Sequence, residues 1–229
     1  MKIGGVQKLT LIDYPEKTAC TVFLSGCNFR CPWCYSPELV LPQQIKRQPQ
    51  IREEEFFDFL EKRKGKLDGV VVCGGEPTVE PEVVNFLKKI KEKGFLVKLD
   101  TNGSNPSLLK KLFAAKLLDY VAMDVKLPLE RYKEVGFKDE EKIKESIEII
   151  KKLAPDYEFR STIVSGVHKK EDIEKMAELI KGSKRYFLQN FLPEKTLDEE
   201  FLSKKPFSNK ELDEFKEIAK KFVYCEVRD

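Results

Sequence analysis

Short apolar runs alternate along the chain with segments whose apolar residues recur every three or four positions. Most of the runs are rich in Val, Ile, Leu and Phe, as strands buried on both faces of a parallel sheet are. They span 19–24, 69–73, 95–99, 120–125, 157–164, 185–191 and 222–227. The pattern therefore predicts a series of parallel strands separated by helices.

The segments between the runs have the spacing of amphipathic helices. Val83, Phe86, Leu87 and Ile90, for example, fall on one face of a predicted helix. Strand–helix alternation over the whole length predicts an α/β fold with parallel strands and right-handed crossovers. The repeated unit occurs too few times for a closed eight-stranded barrel, so we expect a partial (β/α)6 barrel in a single domain, residues 1–229. Residues 1–18 are expected to form a short N-terminal hairpin or arm, and 42–50 a long loop.

Charge and hydropathy narrow the classes of function. The 42 basic and 39 acidic residues give a net charge of +3, and they are interleaved along helices, which argues against a nucleic-acid interface. No apolar stretch is long enough to span a membrane, and the first residues lack the apolar core of a signal peptide. We therefore expect a cytoplasmic protein, in which thiols stay reduced and clustered cysteines are metal ligands or catalytic groups.

Three cysteines follow the first predicted strand within eight residues. Cys27, Cys31 and Cys34 lie in the stretch Ser-Gly-Cys-Asn-Phe-Arg-Cys-Pro-Trp-Cys-Tyr-Ser-Pro. Three thiolates are able to ligate three irons of a cubane cluster and leave the fourth iron open for chemistry. The alternative is structural zinc, which requires four protein ligands. A fourth ligand is missing nearby, since Cys20 lies in a strand and the single histidine, His168, is far along the chain.

The other cysteines give no sign of a second cluster. Cys20, Cys73 and Cys225 are scattered through predicted strands. A free cysteine in a strand is most often a small buried apolar residue. We therefore expect all three to belong to the core.

The Cys-x3-Cys-x2-Cys spacing, with Trp33 directly before the last cysteine, resembles the signature of the radical S-adenosylmethionine (SAM) superfamily. A second motif, Gly74-Gly75-Glu76-Pro77, resembles the methionine-binding motif of that superfamily. Further matches lie at the ends of later strands and resemble the corresponding positions in pyruvate formate-lyase activating enzyme and its relatives. They are Asp100-Thr101-Asn102-Gly103, Met123-Asp124-Val125-Lys126 and Arg160.

The N-terminal part resembles one subgroup, the anaerobic ribonucleoside-triphosphate reductase activating proteins. The stretches that carry this resemblance are 5–9, Asp13-Tyr14-Pro15 and 23–27. One departure is clear: this chain has Tyr35-Ser36 where those relatives usually have His-Asn after the last cysteine. We expect that the departure leaves cluster binding intact and changes a contact near the cluster.

The resemblance implies a [4Fe-4S] cluster on the three cysteines, S-adenosylmethionine as cofactor and a flavodoxin- or ferredoxin-type electron donor. Reductive cleavage would then give a 5′-deoxyadenosyl radical. It further implies that the cofactor contacts Trp33 and the Gly74–Glu76 motif, with Asn102 near the ribose. Lys126 and Arg160 would neutralise its carboxylate. The side chains of Asp100, Thr101 and Asp124 would hold a monovalent cation.

Simpler roles exist for several of these residues. The glycine motif also suits a strand-to-helix turn, the two basic residues also suit ion pairs, and Asp and Thr at strand ends also suit turns and helix caps. The role of His168, in a Gly-Val-His-Lys turn, stays open.

Three functions are compatible with the sequence. The leading hypothesis is an activase that generates a glycyl radical on a partner enzyme such as anaerobic ribonucleotide reductase. The second is a radical SAM enzyme that acts on a small molecule or another peptide. The third is a zinc-bound interaction module without catalysis. The first two share every motif named above, so the motifs alone do not separate them.

Overall fold

The computed structural model describes residues 1–228 and contains one eight-stranded sheet. The strands follow one another in the sheet in chain order. They are β1 (Ile3–Thr10), β2 (Ala19–Leu24), β3 (Gly69–Gly74), β4 (Leu96–Thr101), β5 (Tyr120–Asp124), β6 (Tyr157–Ile163), β7 (Tyr186–Asn190) and β8 (Cys225–Arg228). Each run of apolar residues in the sequence therefore corresponds to a strand, as predicted.

Helices connect the parallel strands. They are α1 (Pro37–Val40), α2 (Pro42–Ile45), α3 (Glu53–Glu61), α4 (Val83–Glu92), α5 (Pro106–Ala114), α6 (Glu140–Leu153), α7 (Lys170–Leu179) and α8 (Asn209–Ala219). The segment 42–50, expected to be a long loop, instead begins with the short helix α2. Its Pro42 stands at the start of that helix. Amide groups in the first turn have no acceptor within the helix, so proline, which lacks the amide hydrogen, is tolerated there.

The sheet is an open, partial barrel, which confirms the predicted fold class. β1 pairs antiparallel with β2, so residues 1–18, expected to form a hairpin or arm, supply the first strand of a hairpin whose second strand is β2. From β2 to β8 every neighbouring pair is parallel. Over residues 1–228 the sheet ends at β1 on one side and at β8 on the other, without pairing between them. Parallel strands in chain order bring all their carboxyl ends to one rim.

The main core lies between the sheet and the helices. Alternate strand residues such as Val72 and Leu99 pack there against Phe86, Leu87 and other apolar residues of the helices. The opposite face of the sheet carries a second, smaller cluster of Tyr14, Ala19, Val71 and Tyr120. Closer to the rim, this inner face becomes polar. Among the described residues, none of the helices has both the length and the apolar character that crossing a bilayer requires.

Candidate active site

One cavity of about 280 Å³ opens at the carboxyl ends of the parallel strands. Every residue that the sequence suggested for the cluster, the cofactor or the cation lines it. They are Cys27, Cys31, Trp33, Cys34, Gly74, Gly75, Glu76, Asp100, Thr101, Asn102, Asp124, Lys126 and Arg160. These residues come from separate parts of the chain, and only the parallel order of the strands brings them together. Ends of parallel strands are the usual place for active sites in such folds.

The loop that carries the three cysteines is fixed by its own hydrogen bonds. The Cys34 amide donates to the Cys31 carbonyl oxygen at 3.0 Å. The Arg30 guanidinium donates to the carbonyl oxygens of Cys27 and Phe29, each at 2.7 Å. These bonds curl the backbone into a tight loop. All three thiols consequently face one cavity, as ligands of a shared cluster must.

The thiol chemistry fits an iron–sulfur cluster. Burial raises the pKa of Cys27 to about 11 and that of Cys31 to about 12, so both are protonated at neutral pH without a metal. The Phe29 amide already points at the Cys27 Sγ, at 3.4 Å, and such donors tune cluster thiolates. Metal binding would therefore release protons from this loop.

The zinc alternative lacks a site in the described part of the chain. Within residues 1–228, no three side chains of His, Cys, Asp or Glu are grouped so that they would hold a metal ion. Structural zinc needs four ligands that converge on one ion, whereas a cubane cluster spreads its ligands over separate irons. The loop supplies three thiols, the ligand number of a cubane cluster with one open iron and one fewer than structural zinc requires.

The paired glycines after β3 lie directly against the cysteine loop. Gly74 has a φ of +121°, which L side chains rarely adopt. A Cβ on Gly75 would lie 2.0 Å from the Gly26 carbonyl oxygen. That same oxygen accepts a hydrogen bond from the Glu76 amide at 2.8 Å. The two motifs thus form one backbone unit, which leaves no room for side chains at either glycine.

Glu76 joins this unit to the end of β4. Its Oε1 accepts hydrogen bonds from the Thr78 amide and hydroxyl and from the Thr101 hydroxyl, and its Oε2 accepts one from the Asn102 amide. Burial raises the pKa of the carboxyl, while these donors act in the opposite direction. Glu76 therefore holds the rim together. Glu76 lines the cavity, and its Oε2, with one donor, keeps acceptor capacity. The contact between this motif and a cofactor remains a prediction.

Asn102 also contacts the cysteine loop. Its Nδ2 donates to the Asn28 Oδ1 at 3.0 Å, and the Asn28 Nδ2 donates to the Ser104 hydroxyl at 2.9 Å. The end of β4 is therefore tied both to the glycine motif and to the cysteine loop. Asn28 was not singled out from the sequence, since a single Asn between two cysteines gives no signal of a partner 74 residues away.

The inner face of the sheet carries a network of ion pairs at the floor of the cavity. Arg160 donates to Asp100 Oδ2 at 3.0 Å and to Asp124 Oδ1 at 3.2 Å. The Lys126 ammonium donates to Asp124 Oδ2 at 3.0 Å. Burial alone would raise the pKa of Asp124, but Lys126 and Arg160 together hold it below its usual value. Asp124 consequently stays ionised and fixes both basic side chains at the cavity.

The backbone of Lys126 is held on both sides by buried side chains. Its amide donates to the Tyr132 hydroxyl at 3.2 Å, and its carbonyl oxygen lies 2.9 Å from the Nε2 of His168. His168 is 3% exposed and does not line the cavity. The structure therefore places His168 behind Lys126, as a group that positions the strand end.

Some lining residues were missed or misassigned from the sequence. Cys20 and Cys225 are fully buried in the main core, as expected, but Cys73 lines the cavity floor on the inner face of β3. Thr162 of β6 and Gln189 of β7 also line it. The sequence signal that could have identified these lining residues is the alternation along each strand, because residues two apart share a face of the sheet.

The family model of the Radical SAM superfamily matches residues 21–181, which is more than half of the chain and includes the cysteine loop, the glycine motif and Arg160. The chain belongs to the radical SAM superfamily. Its members are enzymes, and their shared chemistry uses a [4Fe-4S] cluster and SAM.

Individual relatives agree with this membership. A protein of Methanocaldococcus jannaschii named for the glycyl-radical enzyme activating enzymes is 38% identical over 231 residues, covering 96% of this chain and 92% of the relative. The pyruvate formate-lyase-activating enzyme of Clostridium pasteurianum is 27% identical over 208 residues, covering 86% and 83%. The fold is similar to that of Streptococcus suis SuiB bound to precursor peptide SuiA, with a TM-score of 0.68 at 13% identity. That match covers 91% of this chain and 48% of SuiB, so this chain spans about half of SuiB.

Proposed function

We propose that this radical SAM enzyme generates a glycyl radical on a partner enzyme. A [4Fe-4S] cluster would be held by Cys27, Cys31 and Cys34, and S-adenosylmethionine would bind in the same cavity. The observation that carries the proposal is the convergence of the cysteine loop, the glycine motif and the basic strand ends on that cavity. When bound and reduced, the cluster and cofactor supply a 5′-deoxyadenosyl radical.

The chain's own residues would bind and orient the cofactor. Gly74 and Gly75 are half-buried and line the cavity, where their carbonyl oxygens would accept from the methionine ammonium, and Glu76 Oε2 would add a carboxylate oxygen. Lys126 and Arg160 present positive charge at the cavity floor, which suits the methionine carboxylate. Trp33 would add an apolar wall beside the cluster, where burial keeps water out.

A glycyl-radical enzyme as protein substrate is supported by the relatives. The two reported above are named for the activation of such enzymes and extend over most of this chain. The resemblance of the N-terminal stretches favours anaerobic ribonucleotide reductase as the partner. A one-electron donor of the flavodoxin or ferredoxin type would serve, because the cluster accepts single electrons at low potential.

Electron paramagnetic resonance tests the choice of substrate. The reconstituted enzyme would be mixed anaerobically with SAM, a reductant and a candidate anaerobic ribonucleotide reductase. We expect a glycyl doublet with the wild-type enzyme and with Cys20→Ala, a core cysteine away from the cavity, and none with Cys31→Ala. Formation of 5′-deoxyadenosine without a doublet on any glycyl-radical enzyme tested would instead favour a small molecule or another peptide as substrate.

A further inference from the structure

Lys98 places an ammonium group inside the partial barrel, beneath the cavity. It lies on β4 two residues before Asp100, on the same face of the strand. Its neighbours in register are Val71 on β3 and Tyr120 on β5. The side chain is 1% exposed, and its ammonium lies 5.8 Å from the centre of the Tyr120 ring. A lysine so far removed from water needs an anionic partner.

That partner is Asp100, and the pairing completes a regular pattern. Lys98 donates to Asp100 Oδ1, while Arg160 donates to Asp100 Oδ2. At Asp124, Arg160 donates to Oδ1 and Lys126 to Oδ2. Each of the four carboxylate oxygens therefore has one cationic donor from the protein. Three cations face two carboxylates, so the network has a net charge of +1 (3 − 2).

The same oxygens are those that a monovalent cation would need. A hard cation is bound by several oxygens whose lone pairs point at it. Here each carboxylate oxygen already faces an ammonium or guanidinium group. The Thr101 hydroxyl is also engaged, since it donates to Glu76 Oε1 at 2.8 Å and accepts from the Gly103 amide at 3.1 Å. Each of these oxygens keeps a second lone pair, so the main obstacle to an added cation is electrostatic: it would lie beside three positively charged groups whose charge exceeds that of the two carboxylates.

We propose that Lys98 supplies at Asp100 the positive charge that such a cation would bring. Its ammonium neutralises Asp100, so that the guanidinium of Arg160 and the ammonium of Lys126 keep a net positive charge toward an anionic ligand in the cavity. The enzyme therefore binds its cofactor carboxylate without any added monovalent metal ion. The identity of that ligand as SAM rests on the function proposed above, whereas the neutralisation of Asp100 by Lys98 does not.

The first test needs neither cluster nor cofactor. Thermal unfolding of the full chain is measured in potassium chloride and in tetramethylammonium chloride at equal ionic strength, since tetramethylammonium is too large for a cation site. We expect the same midpoint in both salts for the wild type. Lys98→Met removes the ammonium and keeps an unbranched side chain as far as Cε. It should gain at least about 3 °C in potassium, because binding to the folded state stabilises it.

Two variants serve as controls. Lys98→Met combined with Asp100→Asn removes the carboxylate as well, so the potassium response should disappear. Lys91 lies on α4, outside the cavity, and pairs with Asp119; Lys91→Met removes this ion pair and should leave the midpoint equal in the two salts. A wild-type midpoint that rises in potassium as much as that of Lys98→Met would overturn the proposal. If Lys98→Met does not fold, Lys98→Gln replaces it. The comparison of the wild-type midpoints in the two salts tests the proposal in either case.

The second test uses the reconstituted enzyme and isothermal titration with SAM. Wild-type affinity should agree within about twofold between the two salts, while that of Lys98→Met should fall about tenfold in tetramethylammonium and recover in potassium. Wild-type affinity that depends on potassium contradicts the proposal. Absence of SAM binding in either salt contradicts the proposed function instead, and the thermal test then still decides the role of Lys98.

Discussion

The imidazole of His168 lies edge-on to the indole of Trp33, with ring centroids 5.7 Å apart and ring planes at 74°. The Nδ1 of His168 accepts the Val164 amide at 2.9 Å, so the proton is on Nε2 and is donated to the Lys126 carbonyl oxygen. One buried ring thus connects the cysteine loop, the end of β5 and the turn after β6. Through this ring the indole of Trp33 and the backbone of Lys126 are held in a fixed relation to each other.

His168 should make stability depend on pH in the mildly acid range. Burial lowers the pKa of His168 below 6.5, so the unfolded chain binds a proton that the folded chain does not. Stability is therefore fully present above pH 6.5 and falls below it, by up to about 1.4 kcal/mol per pH unit until the folded pKa is reached. Urea unfolding from pH 5 to 7.5 measures this slope.

The control for that experiment is His168→Gln. Glutamine keeps an amide near both backbone partners and does not titrate, so the part of the slope due to the imidazole should be absent. Because the chain has one histidine, its ring resonance also reports the folded pKa directly by NMR. A ring that titrates near 6.5 in the native protein would show that the contacts with Val164 and Lys126 are not maintained in solution.

Gly75 should tolerate no side chain. A Cβ there would lie 2.0 Å from the Gly26 oxygen, and backbone atoms have little freedom to move away. We expect Gly75→Ala to lower the free energy of unfolding by about 3 kcal/mol, at the upper end of overpacking effects, and to reduce iron incorporation. Urea unfolding and iron analysis after reconstitution measure both effects.

Gly5→Ala is the matched control for Gly75→Ala. The nearest atom to a Cβ at Gly5 is 3.7 Å away, on Phe23, which is an ordinary contact. The change should alter stability by less than about 1 kcal/mol and leave iron content unchanged. Equal effects of the two substitutions would mean that the glycine motif and the cysteine loop are not in the contact described.

Tyr35 explains the departure from the His-Asn pair of the related activating proteins. Its ring stacks on Phe191, with centroids 5.5 Å apart and planes at 10°, and its hydroxyl accepts the Leu192 amide at 2.8 Å. The residue directly after the cysteine motif thus anchors the segment that follows β7. Tyr35 itself lines the cavity, so the contact fixes part of the wall that a substrate would meet.

The contact predicts a graded response to substitution. Tyr35→Phe keeps the stack and loses one hydrogen bond, a loss of about 1 kcal/mol, whereas Tyr35→Ala loses both. Hydrogen exchange at Leu192 should be fastest in Tyr35→Ala, intermediate in Tyr35→Phe and slowest in the wild type. Tyr224→Phe, at an exposed tyrosine, should leave the rate unchanged. If the exchange rate at Leu192 is unchanged in Tyr35→Ala, Tyr35 does not anchor the segment after β7.

The parallel strands were predictable from sequence because each is a run of apolar residues. The site was predictable because its motifs directly follow those runs. Boundaries moved by up to three residues, as at Cys225, where the last strand begins later than the apolar run does. Contacts across long separations were not predictable. Nothing in the sequence pairs Tyr35 with Leu192, 157 residues away. Lys98 was detectable in principle, because it lies two residues before Asp100 on one strand face.

Cluster binding by Cys27, Cys31 and Cys34, and cleavage of SAM at that cluster, are tested most directly by one assay. It measures 5′-deoxyadenosine formed after anaerobic reconstitution with iron and sulfide, reduction with dithionite and addition of SAM. We expect product and a four-iron cluster signal for the wild type and for Cys20→Ala, and neither for Cys31→Ala. Absence of both from the wild type, with zinc bound in place of iron, would contradict this expectation.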